Sequence, residues 1–144
     1  MLLKIKNEDE TERFGRALAD QLMPGDIVCL VGDLGTGKTA LTKAVAAGLG
    51  IEEHIVSPTF NIVKEYRSGR LPLYHFDVYR LGSSEELFEI GARDYFYGQG
   101  LTMVEWANLI EEILPQDYQE VQIEKDLEKG FDYRTITIRE VHRA

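Results

Sequence analysis

The 144-residue chain has a single cysteine, so no internal disulfide framework can hold it together and its stability must come from a packed core. Cys29 lies inside an apolar run, reads as a small buried hydrophobe, and suits a reducing cytoplasm. No apolar stretch approaches the roughly 20 residues needed to cross a bilayer. The opening MLLKIKNEDE turns acidic before a signal-peptide h-region can form. The expectation is a cytoplasmic protein with no membrane span. Basic residues are in the minority too: 16 Lys and Arg face 25 Asp and Glu, a formal charge of −9. A protein that grips nucleic acid by itself neutralises phosphates with Lys and Arg, and no basic cluster with interleaved aromatics is present. Independent nucleic-acid binding is therefore disfavoured. Internal repeats and low-complexity linkers are also lacking, which leaves one domain, residues 1–144.

What is present is an alternation of strand and helix signals. Residues 2–6 read as a short strand. Asn7 is a plausible N-cap with Glu10 three residues on, and Phe14, Leu18 and Leu22 recur at helical spacing. Pro24-Gly25 ends that helix, residues 26–31 form a strand, and a second helix runs to Gly48 or Gly50. Residues 59–66 and 71–80 flank RSGR as a hairpin, and Ser83 with Glu86 makes a capping box for a short helix. Residues 100–106 read as a buried strand and 107–113 as a helix before Pro115. VQIEK and RTITIREV alternate as antiparallel partners. The sum predicts an α/β fold, a single P-loop NTPase-like domain with a mixed β-sheet flanked by helices.

The chemistry is concentrated in GDLGTGKT, residues 32–39, which follows a strand and opens a helix. That setting gives G-x-x-x-x-G-K-[ST] its meaning as a phosphate loop. Gly32, Gly35 and Gly37 permit close backbone approach, so successive N–H groups can wrap a β-phosphate at a helix N-terminus. The candidate nucleotide contacts are Asp33, Leu34, Gly35, Thr36, Gly37, Lys38, Thr39 and Ala40. Lys38 would reach the β- and γ-phosphates, and the Thr39 hydroxyl would ligate Mg²⁺. Phosphoryl chemistry also needs a carboxylate near the ion, usually at the end of a neighbouring buried strand. Two candidates exist: Glu105, which terminates LTMVE, and Asp77, which shares a strand face with His75 and Tyr79. Thr59 in SPTF is a candidate switch threonine, alternatively a turn residue opening a strand. Trp106 is read as core packing or as a platform beside the site. The start of the first helix, Glu8 to Thr11, is the place to look for contacts to adenine.

Taken together, GDLGTGKT, SPTF, YHFDVYRL and DYF…VEW resemble, in that order and spacing, the TsaE (YjeE) family, the small bacterial ATPases of tRNA threonylcarbamoyladenosine biosynthesis. The likeness spans roughly residues 5–140, with H-x-D-x-Y-R-L at 75–81 and Glu105-Trp106 as its distinctive part. Ala40 replaces a threonine that many relatives carry, and Asn108 stands where an acidic residue is common. The resemblance implies ATP and Mg²⁺ as cofactors and weak hydrolysis by the protein alone. It also implies roles for Lys38 and Thr39 at the phosphates and Mg²⁺, for Glu105 as a metal ligand, and for Asp77 in ordering the attacking water. It implies ATP-dependent docking on the TsaB–TsaD threonylcarbamoyl-transfer pair, acting as a switch that supports its turnover, with tRNA reached indirectly through that pair. Three other readings compete. A small-molecule kinase of shikimate kinase type would need a D-x-D and an arginine-rich lid, neither of which is present. A regulatory GTPase would need N-K-x-D, also missing. A non-hydrolysing ATP-sensing module is the remaining alternative.

Overall fold

The computed structural model describes residues 2–33, 36–56, 58, 62–79, 85–89 and 91–142. Along the chain run β1 (Leu2–Ile5), α1 (Glu8–Gln21), β2 (Ile27–Val31), α2 (Lys38–Gly48), β3 (Val63–Tyr66) and β4 (Leu73–Asp77). Then follow α3 (Glu85–Glu89), α4 (Ala92–Phe96), β5 (Leu101–Glu105), β6 (Asp117–Lys125) and β7 (Arg134–His142). The strands form one seven-stranded sheet in the order β1-β7-β6-β2-β5-β4-β3. Its centre, β6-β2-β5-β4, is parallel. The flanking pairs β3–β4, β6–β7 and β1–β7 are antiparallel, so the sheet is mixed as expected.

Period-two alternation divides the core between the two faces of this sheet. Val28 and Leu30 of β2 join Leu73, Leu101 and Met103 beneath α1 and α2, with Leu18, Leu41 and Val45 pressed down from the helices. Ile27 and Cys29 point the other way, against Tyr74, Phe76, Val104, Phe96 and Ile110. Coverage on both sides explains why β5 is buried at every position and reads as a continuous apolar run. Cys29 is a buried thiol. No helix among the described residues is long and apolar enough to cross a membrane.

The first helix starts as its sequence dictates. The Glu10 N–H donates to Asn7 Oδ1 at 3.0 Å, and the Glu10 carboxylate accepts from the Lys6 N–H at 3.1 Å. Two initial donors are thus satisfied reciprocally. Gly15 lets α1 lie directly on α2, because a Cβ there would come within 2.4 Å of the Ala44 Cβ. Two expectations need correction. The helix anticipated over 107–113 is a pair of 3₁₀ turns, Ala107–Leu109 and Glu111–Ile113, entered from Trp106 at φ 64 and separated by Ile110 at φ −132. Pro115 then holds Leu114 extended, which closes off any longer helix. The strand anticipated over 71–80 is shorter, ending at Asp77, where the Tyr79 N–H turns back onto the Asp77 carboxylate. Ser83 of the proposed capping box lies outside the described residues, although the helix it was to start is present.

Candidate functional site

Parallel β2, β5 and β4 all end at one edge of the sheet, and α2 begins there. In open α/β sheets the crevice beyond the carboxyl ends of the strands is where ligands bind. Gly37 caps α2 at φ 105, a left-handed conformation that glycine adopts without strain. No side chain caps the helix and its first turn carries no acidic group. Its N-terminal amides and dipole therefore present partial positive charge with no negative side chain of its own turn to answer it.

Lys38 adds a full charge to this end. The side chain is 5% exposed, and its Nζ donates to the Gly32 carbonyl at 2.6 Å and to the Asp33 carbonyl at 2.8 Å. Burial pushes the ammonium below its ordinary pKa, a shift only partly offset by the charges of Glu105, Asp77 and Asp33. A desolvated cation above a helix N-terminus is a place where an anion is stabilised.

Glu105 closes β5 and is 3% exposed. The Thr39 hydroxyl lies 3.2 Å from its Oε1 and 3.4 Å from its Oε2. Asp77 stands directly opposite Glu105 in the β4–β5 register, and Leu30 of β2 stands opposite it on the other side. Burial raises the Asp77 carboxyl above its ordinary pKa. The Tyr79 N–H works against the rise, and the charge of Glu105 adds to it. The fold thus brings Lys38, Thr39, Asp77 and Glu105 to one edge from three separate stretches of chain. A hydroxyl beside carboxylates is an all-oxygen donor set, the chemistry that suits a hard cation such as Mg²⁺.

Trp106 follows Glu105 and roofs the lysine, with Lys38 Nζ 4.1 Å from the ring centroid. Tyr79 lies alongside, its ring centroid 4.6 Å from that of Trp106. The indole therefore touches the site while its edge packs on the core beneath, combining the two roles expected of it. Thr36 is buried, donating to the Asp33 carbonyl at 2.9 Å, and Ala40 is exposed in the first turn of α2. Leu34, Gly35 and Thr59 lie outside the described residues.

Two further residues reach the site without an obvious local signal. Arg134 of β7 donates from Nε to the Thr36 carbonyl at 2.8 Å, tying the far strand to the glycine loop across 98 positions. His75 of β4 lies against Glu105, a pairing that needs the β4–β5 register and not only the alternation of β4. Beside Gly37 a cavity of about 310 Å³ is walled by Glu8 and Thr11 of α1, Ala40 and Lys43 of α2, and Arg134.

The family model for threonylcarbamoyl adenosine biosynthesis protein TsaE matches residues 5–136. The chain is 48% identical over 135 residues to the tRNA threonylcarbamoyladenosine biosynthesis protein TsaE of Bacillus subtilis, covering 94% of this chain and 82% of that protein. It is 44% identical over 111 residues to the protein of the same name from Treponema pallidum, covering 77% and 82%. Among solved structures, the crystal structure of Bacillus subtilis YdiB superposes with a TM-score of 0.82 at 43% identity, covering 99% of this chain and 85% of that one.

Proposed function

The chain belongs to the TsaE family of threonylcarbamoyl adenosine biosynthesis proteins, and from that premise we propose that it is a Mg²⁺-dependent ATP hydrolase serving this tRNA modification. The observation that carries the reading is the meeting of Lys38, Thr39, Glu105 and Asp77 beyond the ends of β2, β5 and β4. Lys38 exchanges two neutral carbonyls for β- and γ-phosphate oxygens, while the amides from Asp33 to Ala40 surround the β-phosphate. Thr39 Oγ1 and Glu105 would hold Mg²⁺ through oxygen. Bound there, the ion supplies positive charge against the charge that develops on the phosphate oxygens. Asp77 accepts a hydrogen bond from the attacking water and orients it. Its raised pKa makes it a better proton acceptor than a solvated carboxylate. Thr59, outside the described residues, is the candidate contact to Mg²⁺ or the γ-phosphate, and the cavity walled by Glu8 and Thr11 is the candidate place for adenine.

A protein whose output is a docked conformation needs no substrate domain, because the partner holds the substrate. TsaB and TsaD are the partners, and tRNA is reached through them, which is compatible with a charge of −9 on this chain. Incubation with ATP and Mg²⁺, with and without the TsaB–TsaD pair, tests the reading. ADP and free phosphate are expected, at a rate that depends on the pair. Transfer of phosphate to a small-molecule acceptor would overturn it in favour of a kinase, and recovery of ATP intact would leave only a sensing module.

A further inference from the structure

His75 is fully buried in β4, and its Nε2 stands 2.5 Å from Oε2 of Glu105. The other contact to this carboxylate, from the Thr39 hydroxyl, is long at 3.2 and 3.4 Å, beyond the usual 2.5–3.0 Å of an O–H···O bond. The imidazole is therefore the closer restraint on how the carboxylate is turned. Its proton can be placed from its surroundings. An ionised carboxylate only accepts, so Nε2 carries the hydrogen. Nδ1 is buried and has no hydrogen-bond partner among the described residues, so a proton there would be a buried unpaired donor. The Nε2–H is therefore the donor that faces Glu105.

We propose that His75 is a positioning residue whose Nε2–H fixes the Glu105 carboxylate in the orientation that, together with Thr39, receives Mg²⁺. The inference rests on the reading of Glu105 as a metal ligand. Hydrogen bonds to ligating carboxylates of this kind typically set metal affinity by ~10–100-fold. Phosphate binding through Lys38 and the loop amides does not pass through His75, so nucleotide affinity without the ion is expected to be independent of it.

Three substitutions separate positioning from packing. In His75→Gln the side-chain amide extends to the level of Nε2 and can still donate to Glu105. In His75→Asn it ends at the level of Nδ1, and in His75→Leu no donor remains. Calorimetric titration with a non-hydrolysable ATP analogue, in Mg²⁺ and in EDTA, is the measurement. His75→Asn and His75→Leu should lose the Mg²⁺-dependent gain in affinity, with apparent Mg²⁺ affinity down ~10–100-fold, while affinity in EDTA stays at the wild-type value. His75→Gln should recover most of the gain. A wild-type protein with no Mg²⁺-dependent gain would remove the Glu105 reading itself. A wild-type gain retained in full by all three variants would remove His75 alone. Long-range ¹H–¹⁵N spectra of the unmutated protein decide the matter even if a buried substitution prevents folding. The Nε2–H tautomer is expected at His75, with resonances that move when Mg²⁺ and the analogue are added together. An Nδ1–H tautomer would overturn the proposal.

Discussion

Lys38 Nζ lies 4.1 Å from the ring centroid of Trp106. The ammonium is thus held between an aromatic face and two neutral carbonyls, with burial already working against its charge. A triphosphate would offer it anionic acceptors, and hydrogen bonds to charged groups are worth about 1.5–3 kcal/mol. Lys38→Ala should therefore weaken ATP binding by roughly 10–100-fold, read by calorimetry with Mg²⁺ present. Affinity equal to that of the unmutated chain would remove the phosphate-loop reading.

The same contact makes the protein its own reporter. Trp106 is the one tryptophan in the chain, so intrinsic emission at long wavelength comes from beside the lysine. Nucleotide that draws the Lys38 ammonium off the indole should change that emission in a saturable way. Lys38→Ala should shift the starting emission and abolish the response. In Trp106→Leu the cation–π contact, about 0.5–2 kcal/mol, is lost, and ATP affinity should change by less than it does in Lys38→Ala. A flat fluorescence titration under conditions where calorimetry shows binding would mean that Lys38 stays against the ring.

Much of the sheet was legible in the sequence because its signals are local. The Asn7 cap, the alternation of β6 and β7, and the apolar runs of β2 and β5 each state their own conformation within a few residues. The phosphate-loop candidates are equally local. The turns after Trp106 were not legible, because the apolar spacing of 107–113 resembles a helix. The left-handed Trp106 from which the turns start is held by a tertiary hydrogen bond from its N–H to the Leu30 carbonyl at 3.1 Å, and Ile110 at φ −132 divides them. His75 and Arg134 escaped for a related reason. Each acts on a residue dozens of positions away, through a register or a strand order that no window of sequence contains. Side chains such as these two, which carry no motif role of their own and meet their partners on distant strands, are found only once the strands are paired.

Asp77 bears on stability as well as on the proposed hydrolysis. Burial lifts its carboxyl above the ordinary value of 3.8, so in the window from there up to the raised native pKa the folded state binds more protons than the unfolded one. Stability falls as pH rises through that window, and the loss persists at neutral pH. Asp77→Asn removes the desolvated charge while its amide oxygen can still accept the Tyr79 N–H. The variant should melt a few degrees higher at pH 7 and show a flatter dependence of Tm on acid pH. It should also hydrolyse ATP far more slowly with ATP affinity little changed, since a water-ordering group acts chiefly in the transition state. A lower Tm at pH 7 would show that the attraction to Lys38 outweighs the desolvation.

The surface beside Lys38 gives the proposed switch a physical form. Tyr79 is 47% exposed and stacks on Trp106, and Leu109, 49% exposed, belongs to the turn that follows. These groups adjoin, through Trp106, the ammonium whose partners would change on binding a γ-phosphate in the proposed reading. A ligand shifts docking only by its differential affinity for the docked and free states, so ATP and ADP must differ in effect if ATP governs the contact. The chain should accordingly associate with a TsaB–TsaD pair more tightly in the presence of a non-hydrolysable ATP analogue than with ADP or without nucleotide. Tyr79→Ala, which alters the exposed ring and leaves Lys38, Thr39 and Glu105 in place, should weaken that association more than it weakens ATP binding. Size-exclusion chromatography of the mixed proteins in the three nucleotide states measures the first effect, and calorimetry of the variant measures the second. Equal association in all three states would dismiss the switch even if hydrolysis were established, because a contact indifferent to the γ-phosphate cannot be governed by its removal.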